Sequence, residues 1–357
     1  MAKKTPKPTE LASSEGVVLR DLRSLIRGAQ KRAAVAVNQE LVLLYWDLGH
    51  RIRVEILREA RADYGERIVQ TVSAQLTKEF GTGYGRRNLF SMIKFAETFP
   101  DRQIVQTLSA QLSWSHFVDI LRLPTPIERE FYATLCHASG WSVRGLRKEI
   151  AGNLFARTTL SAQGDETIRR DLALLRDEDK WTPDLVFRDP YVLPFLGLAD
   201  GFSERDLESA LVREMERFLL ELGEGFAFVA RQKRMTMDGK DFYLDLLFYH
   251  RHLRRLVAVE LKIGEFEPGH KGQMELYLAW LNRYERARHE EAPVGLLLCT
   301  HAGLEQLELL QIGQGDVHVA QYVTEHLPPE LLHRTLREAH ERVQEQLATR
   351  EEPSSNE

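Results

Sequence analysis

Apolar residues recur at three- and four-residue spacing through the first part of the chain, which is the periodicity of amphipathic helices. The pattern predicts helices over 36–62, 65–80, 86–98 and 107–122. A glycine-rich stretch, 81–85, interrupts the pattern between the second and third of these helices. We therefore predict an all-α domain over residues 17–160, preceded by a disordered tail over residues 1–16.

The pattern changes after residue 203. The predicted elements are a long helix over 204–222, strands over 226–236, 241–249 and 255–262, a helix over 269–288, a strand over 293–299, a helix from 302, and a short strand over 317–320. This order indicates an α/β core with a mixed sheet over residues 201–335. The fold class is thus α+β with two domains.

Two segments lie outside these domains. The acidic, proline-bearing segment 161–200 is predicted to be a linker or the first edge of the second domain. Beyond the second domain, residues 336–357 are predicted to form the rest of a charged helix (328–349) and a disordered end.

Composition narrows the class of protein. Hydrophobic residues make up 43% of the chain and charged residues 28%, which is typical of a globular protein, and no run approaches 18 apolar residues. The first ten residues, MAKKTPKPTE, lack the apolar stretch of a signal peptide. Two distant cysteines, Cys136 and Cys299, fit a reducing compartment. We expect a cytoplasmic protein with no membrane partner.

Charge is distributed unevenly. Residues 17–160 contain 21 Lys and Arg against 14 Asp and Glu, a net charge of +7, although the whole chain has a net charge of −5. A basic half joined to an acidic half suggests that the first contacts phosphates. The alternative is a chance asymmetry of solvated helix faces.

Two predicted strands carry charged residues within apolar sequence. In strand 241–249 the even positions from 242 to 248 form one apolar face, and Asp245 lies on the other. In strand 256–262, Glu260 and Lys262 are two residues apart and share a face. A hairpin centred on the intervening turn pairs residues whose numbers sum to 505, which places Asp245 opposite Glu260 with Cβ atoms about 5 Å apart. A slip of one residue would separate them.

Two carboxylates this close repel each other unless a cation lies between them. Asp245, Glu260, the backbone carbonyl of Leu261 and water molecules form an all-oxygen set that suits Mg²⁺ or Mn²⁺. Such a site can orient a phosphodiester, with Lys262 positioning or deprotonating the attacking water or stabilising the pentacovalent phosphate. The alternative is a structural salt bridge across the hairpin, which is costly on apolar strands.

Two helix residues extend this candidate site. Glu208 falls inside the apolar stripe of helix 204–222, where a buried carboxylate needs a partner such as the metal ion. Its alternative is a glutamate that reaches solvent near the helix start. Gln273 shares a face with Tyr277, and its amide could bind a phosphate oxygen or a water. Its alternative is a buried glutamine with satisfied hydrogen bonds.

The motif itself is not specific, because an Asp followed by Glu-x-Lys occurs often by chance. A second copy is present at Glu178-Asp179-Lys180, with Asp171 upstream. That copy lies in polar sequence that is not typical of a strand. The two apolar strands and their flanking helices therefore select Glu260-Leu261-Lys262.

Five sequence motifs carry a family resemblance. They are GKDFYLDLLFYH at 239–250, VELKIGEF at 259–266, GQM at 272–274, QLSWSH at 111–116 and GWSVR at 140–144. With these motifs the chain resembles the YhcG-type family of the PD-(D/E)XK nuclease superfamily, from about residue 20 to 335. The resemblance implies a helical domain thought to bind DNA and a restriction-endonuclease-like core.

The resemblance also implies roles for residues. It maps the core acids and lysine onto Asp245, Glu260 and Lys262, and the helix acid onto Glu208. Leu244 stands where the superfamily has its name-giving proline; that position only supports the strand.

Three basic segments are candidates for contacting DNA. Helix 86–98 follows helix 65–80 in an arrangement like a helix-turn-helix, although the turn is long. Residues 140–148 and the turn 250–255 are the others. For the first two segments, solvated charges on ordinary helices are the alternative. The candidate residues are Arg86, Arg87, Lys94, Arg144, Arg147, Lys148, Arg251 and Arg254.

These observations predict a Mg²⁺-dependent (or Mn²⁺-dependent) DNA endonuclease. Its catalytic residues would be Asp245, Glu260, Lys262, Glu208 and Gln273, and Asp245, Glu260, Glu208 and the Leu261 carbonyl would bind the metal. A homodimer would supply the two sites that double-strand cutting needs. The alternatives are a non-catalytic DNA-binding protein and an adaptor subunit of a restriction or defence complex.

Overall fold

The computed structural model describes residues 8–57, 62–162, 164–199, 201–313 and 315–325, together with residues 331, 334, 336, 338 and 339. The chain divides into two compact units, Met1–Arg147 and Lys148–Glu357. The first is helical and the second contains a six-stranded mixed sheet, so the predicted α+β class is confirmed.

The first unit is built around one long helix that packs against the third and fourth helices. Its elements are α1 Pro8–Ile52, a π-helical turn Arg53–Leu57, α2 Ala62–Phe80, a 3₁₀ turn Thr82–Tyr84, α3 Arg86–Thr98, α4 Arg102–Ser109, α5 Trp114–Ile120, α6 Pro126–Ser139 and the start of α7 Val143–Ala151. The predicted break at 81–85 is confirmed. The core includes Val42, Trp46, Leu89, Met92 and Phe95.

The helix predicted over 107–122 is wrong, because α4 ends at Ser109 and α5 begins at Trp114. Ser113 is the N-cap of α5, and its backbone N–H donates to Nδ1 of His116 at 2.9 Å. This reciprocal capping begins a new helix at Trp114, although the apolar spacing continues across 107–122 and by itself predicts one helix.

The predicted N-terminal tail also differs, because α1 already begins at Pro8. Proline is tolerated in the first helical turn, where its missing N–H would have no partner. Residues 1–7, most of the predicted helix 328–349 and the end 350–357 lie outside the described residues.

The second unit contains α8 Leu154–Ser161, α9 Asp165–Glu178, α10 Pro183–Val186, β1 Tyr191–Val192, a 3₁₀ turn Pro194–Leu196, α11 Glu204–Arg213, α12 Met215–Leu222, β2 Phe226–Met237, β3 Lys240–His250, β4 Arg255–Leu261, α13 Pro268–Tyr284, β5 Val294–Cys299, α14 Leu304–Leu309 and β6 Val317–Val323. The strand order is β1-β6-β5-β4-β3-β2. The β2–β3 and β3–β4 pairs are antiparallel and the others parallel.

Each face of this sheet packs on its own helices. On one face, Val257 and Val259 of β4 join a core with α11 and α12; on the other, Leu256 and Ala258 join a core with α13. The predicted helix 204–222 is divided at Glu214, whose φ of −101° and ψ of 30° leave the helical range. Both halves still bury the predicted apolar stripe.

Of the two alternatives predicted for residues 161–200, the linker is wrong, and the structure shows the first edge of the second domain. These residues contain α9, α10 and β1, and β1 pairs in parallel with β6. Phe187, Tyr191 and Leu193 are completely buried in the α11–α12 core. The acidic residues on which the linker prediction rested lie at the exposed end of α9. The apolar residues that follow them are part of the α11–α12 core.

We predict opposite effects for two glycines of α1. A Cβ at Gly49 would lie 1.9 Å from the carbonyl oxygen of Met92, so Gly49→Ala should overpack the α1–α3 contact and lower the free energy of unfolding by about 1–3 kcal/mol. A Cβ at Gly28 would have the flexible end of Arg32 as its nearest atom, at 3.4 Å. Because alanine favours the helix more than glycine does, Gly28→Ala should raise the free energy of unfolding by up to about 1 kcal/mol. Thermal unfolding followed by circular dichroism measures both; equal stability of the two variants would contradict this packing.

Candidate active site

The β3–β4 hairpin has the predicted register. Leu246 pairs with Val259 and His250 with Arg255, so the numbers of paired residues sum to 505. The ladder ends at Leu246 and Val259. Asp245 and Glu260 are therefore the next opposed positions, at the point where the two strands separate.

Side chains replace backbone pairing beyond this point. The N–H of Leu261 donates to Oδ2 of Asp245 at 2.9 Å, and the N–H of Asp245 points to Oε2 of Glu260 at 3.5 Å. Each carboxylate thus contacts the opposite strand. Glu260 is only 4% exposed, so its charge lies almost entirely outside water.

The predicted single apolar face of β3 is wrong. Leu246 and Phe248 join the α11–α12 core, whereas Leu244 and Phe242 lie with the α13 core. The side-chain alternation therefore shifts at Asp245. Facing it, Gln232 of β2 has a left-handed φ of 47°, and the β2–β3 ladder skips both residues.

Lys262 and Gln273 both contact Glu260. Lys262 Nζ lies 3.1 Å from Oε1 of Glu260 and forms an ion pair with it. Gln273 Nε2 donates to the same oxygen at 3.2 Å and lies 2.7 Å from the hydroxyl of Tyr277. The structure thus brings together Asp245, Glu260, Lys262 and Gln273.

Glu208 is buried as expected, but its partner in the structure is a cation of the protein. Oε1 of Glu208 accepts from Nε of Arg231 at 2.6 Å, and Arg231 also donates to Ser209. The negative charge of Glu208 contributes to raising the pKa of Asp245, so the two acids lie within electrostatic reach. Its burial alone therefore does not require a metal.

The electrostatics of the site oppose the simultaneous ionisation of its acids. Burial, followed by repulsion from Asp245, raises the pKa of Glu260 to about 7. Burial is also the largest cause that raises the pKa of Asp245. Burial acts to lower the pKa of Lys262, but attraction to Glu260 outweighs it and the pKa is raised. Lys262 is accordingly charged at neutral pH.

Among the described residues, no group of three or more His, Cys, Asp and Glu side chains is arranged to hold a metal ion. A magnesium site needs fewer protein ligands, because Mg²⁺ commonly binds one or two carboxylates, water and substrate phosphate. The paired, mutually repelling Asp245 and Glu260 fit that donor set. The role of the Leu261 carbonyl oxygen as a ligand stays a prediction.

Three residues at this site were missed by the sequence reasoning. Arg231 and Gln232 contact Glu208 and Asp245, and Tyr277 contacts Gln273. The sequence did contain a signal for Tyr277, because it shares a helix face with Gln273. The apolar and basic pattern of strand 226–236 gives no sign of the other two.

The candidate DNA-binding residues are all exposed, but three of them contact carboxylates. Arg86 pairs with Glu66, Arg147 with Asp119 at 2.7 Å, and Arg254 with Glu291 at 3.2 Å. Across the described parts of the chain, ion pairs with carboxylates are absent for the remaining five: Arg87, Lys94, Arg144, Lys148 and Arg251. These five side chains are therefore more available to bind phosphates than the three that contact carboxylates.

Comparison with known proteins gives matches in both halves of the chain. The family described as DUF1016 N-terminal domain matches residues 21–157, and the family described as YhcG PDDEXK nuclease domain matches residues 184–337. The Escherichia coli (strain K12) protein named "Putative nuclease YhcG" is 33% identical over 336 residues, covering 86% of this chain and 89% of that protein.

Among solved structures, a repair endonuclease from Pyrococcus abyssi aligns with a TM-score of 0.25 and 20% identity, over 36% of this chain and 50% of that one. A similarity of this extent is too slight to inform fold or function. No helix among the described residues is long and apolar enough to cross a membrane.

We predict that Glu260 makes the metal-free protein less stable as the pH rises. Because folding raises the pKa of Glu260 from 4.5 to about 7, its contribution to stability is full below pH 4.5 and is lost as the pH rises through 7. Glu260→Gln should therefore stabilise the protein relative to wild type at pH 8, by on the order of 3 kcal/mol, and much less at pH 5. Melting temperatures in EDTA measure this, with Glu216→Gln, at an exposed position, as the control. Parallel pH curves for wild type and Glu260→Gln would contradict it.

Proposed function

Because the chain belongs to the YhcG family of PD-(D/E)XK nucleases, we propose that it is a divalent-metal-dependent endonuclease that hydrolyses phosphodiester bonds of DNA. The observation that carries the proposal is the convergence of Asp245, Glu260 and Lys262 where β3 and β4 separate.

Asp245 and Glu260 would hold the metal, with Glu208 and the Leu261 carbonyl as further ligands. The chemistry that Mg²⁺ or Mn²⁺ supplies in such a site is polarisation of the phosphodiester and activation of a water molecule. Hydrolysis would form a bond from the oxygen of a water molecule to phosphorus and break the bond from phosphorus to one sugar oxygen, which would leave as a hydroxyl after taking up a proton that the water releases.

Lys262 would act as a cation rather than as a base. Its raised pKa keeps it protonated, so it can donate to a phosphate oxygen and stabilise the negative charge that develops in the transition state. Gln273 would hold Glu260, since its amide already donates to that carboxylate and touches Tyr277.

The helical unit would recruit DNA. The support is its net positive charge and the exposed Arg87 and Lys94 of α3, which project away from the buried face formed by Leu89, Met92 and Ile93. Cations on an exposed helix face can contact phosphates without reading the bases.

We predict that Lys262→Ala lowers the metal-dependent cleavage rate at least 100-fold, because it removes one donor to the developing charge. Cleavage of plasmid, linear duplex, single-stranded and junction DNA with Mg²⁺ or Mn²⁺ measures this. Lys180→Ala is the matched control: Lys180 belongs to the second motif copy, which the structure places at the end of α9. It should cut within about twofold of wild type.

The other possible outcomes of this cleavage experiment distinguish between the alternative functions. DNA binding without cutting by wild type would favour a non-catalytic DNA-binding protein. Absence of both would favour an adaptor subunit of a larger complex. Equal loss in Lys180→Ala and Lys262→Ala would contradict the assignment of the site.

We also predict how the affinity for DNA depends on salt concentration. Each phosphate contact contributes about one unit to the slope of log affinity against log salt. Arg87→Ala and Lys94→Ala should each reduce that slope by about one, whereas Arg86→Ala should change it less, because Arg86 is already paired with Glu66. Fluorescence anisotropy with a duplex in EDTA, at 50–200 mM salt, measures the slopes. Equal slopes in all three variants would exclude α3 as a contact.

A further inference from the structure

Gln232 has a backbone conformation that is unusual for its place in the fold. It lies inside β2, between the ladder pairs Arg231–Leu246 and Lys233–Leu244, with a φ of 47°. Residues other than glycine rarely adopt this region. The other described non-glycine residues with positive φ lie at helix ends or in turns: Asn153, Asp179, Asp238, Arg254 and Gln311.

Packing does not account for this conformation. Gln232 is exposed and belongs to neither core of the second unit. Its side-chain amide instead donates to Oδ1 of Asp245 at 2.9 Å. The other oxygen of that carboxylate, Oδ2, accepts from the N–H of Leu261. Asp245 is therefore held at both oxygens by neutral donors.

The conformation also changes where consecutive side chains point. In a regular strand, Arg231 and Gln232 would face opposite sides of the sheet. Here both reach acids of one site: Arg231 contacts Glu208, and Gln232 contacts Asp245. A left-handed residue in mid-strand thus delivers two adjacent side chains to two carboxylates that lie within electrostatic reach of each other.

We propose that Gln232 is a positioning residue of the nuclease site, and that its left-handed backbone is retained because it places the amide on Asp245. This inference rests on the proposed function. A neutral amide orients the carboxylate without competing for its charge, and a carboxylate that accepts two hydrogen bonds still has lone pairs for a cation. Strained residues that persist in folded proteins cluster at functional sites.

Two substitutions separate function from stability. Gln232→Gly relieves the backbone and removes the amide, so it should raise the melting temperature by about 1–3 °C while lowering the cleavage rate at least tenfold. Gln232→Ala removes the amide and keeps the backbone strained, so it should lose the same activity with no gain in melting temperature. A purely structural role cannot raise stability and lower activity together.

A matched control comes from the same strand pair. Asp238, in the turn between β2 and β3, is exposed and has a φ of 49°. Asp238→Gly relieves a similar backbone away from the site. Because aspartate tolerates the left-handed region in turns, this substitution should change the melting temperature less than Gln232→Gly does, and it should leave cleavage at the wild-type rate.

Binding of Mn²⁺ to the protein without DNA, measured by calorimetry, gives a readout independent of cutting. Both Gln232 variants should bind Mn²⁺ at least fivefold more weakly than wild type and Asp238→Gly. Wild-type binding and cutting by Gln232→Gly, or a fall in its melting temperature, would overturn the proposal and leave the nuclease function standing. If wild type does not cut, the proposed function fails, and unchanged Mn²⁺ binding in the variants then overturns the positioning role as well.

Discussion

The repulsion between the buried Glu260 and the half-buried Asp245 is the constraint around which the candidate site of the second unit is built. Asp245 and Glu260 oppose each other where β3 and β4 separate, and Glu260 is almost completely shielded from water. Burying like charges is unfavourable unless hydrogen bonds and opposite charges offset it. Lys262, Gln273 and two backbone N–H groups supply part of that compensation. Burial, followed by the remaining repulsion from Asp245, still raises the pKa of Glu260 to about 7.

The fold holds this unfavourable pair in place from both faces of the sheet. Val257, Val259 and Leu261 anchor β4 to α11 and α12, while Leu256 and Ala258 anchor it to α13. The same helices then contribute polar side chains: α11 carries Glu208 and α13 carries Gln273. Because each strand residue is fixed on a core, the carboxylates cannot move apart to relieve their repulsion.

The sequence predicted the parts of this site that follow from strict periodicity. The length of the turn was enough for the hairpin register, because a hairpin centred on that turn pairs residues whose numbers sum to 505, as they do in the structure. The shift of faces at Asp245 was not predictable, since it coincides with a left-handed glutamine, and glutamine has no preference for that region. The sequence left the segment 161–200 between a linker and the first edge of the second domain, because its acidic residues precede core residues such as Phe187 and Tyr191.

The distribution of charge within the site favours a cation near Asp245. Glu208 contacts Arg231, and Glu260 contacts Lys262, so two of the three acids have a cationic neighbour. Asp245 is held by Gln232 and the N–H of Leu261, both neutral, and its described contacts include no ion pair. Lys262 attracts Asp245 only at longer range, so Asp245 is the one of these three acids that no described cation contacts directly. Under the proposed function, a cation drawn to Asp245 would lie beside Glu260 and relieve the repulsion that the protein alone does not offset.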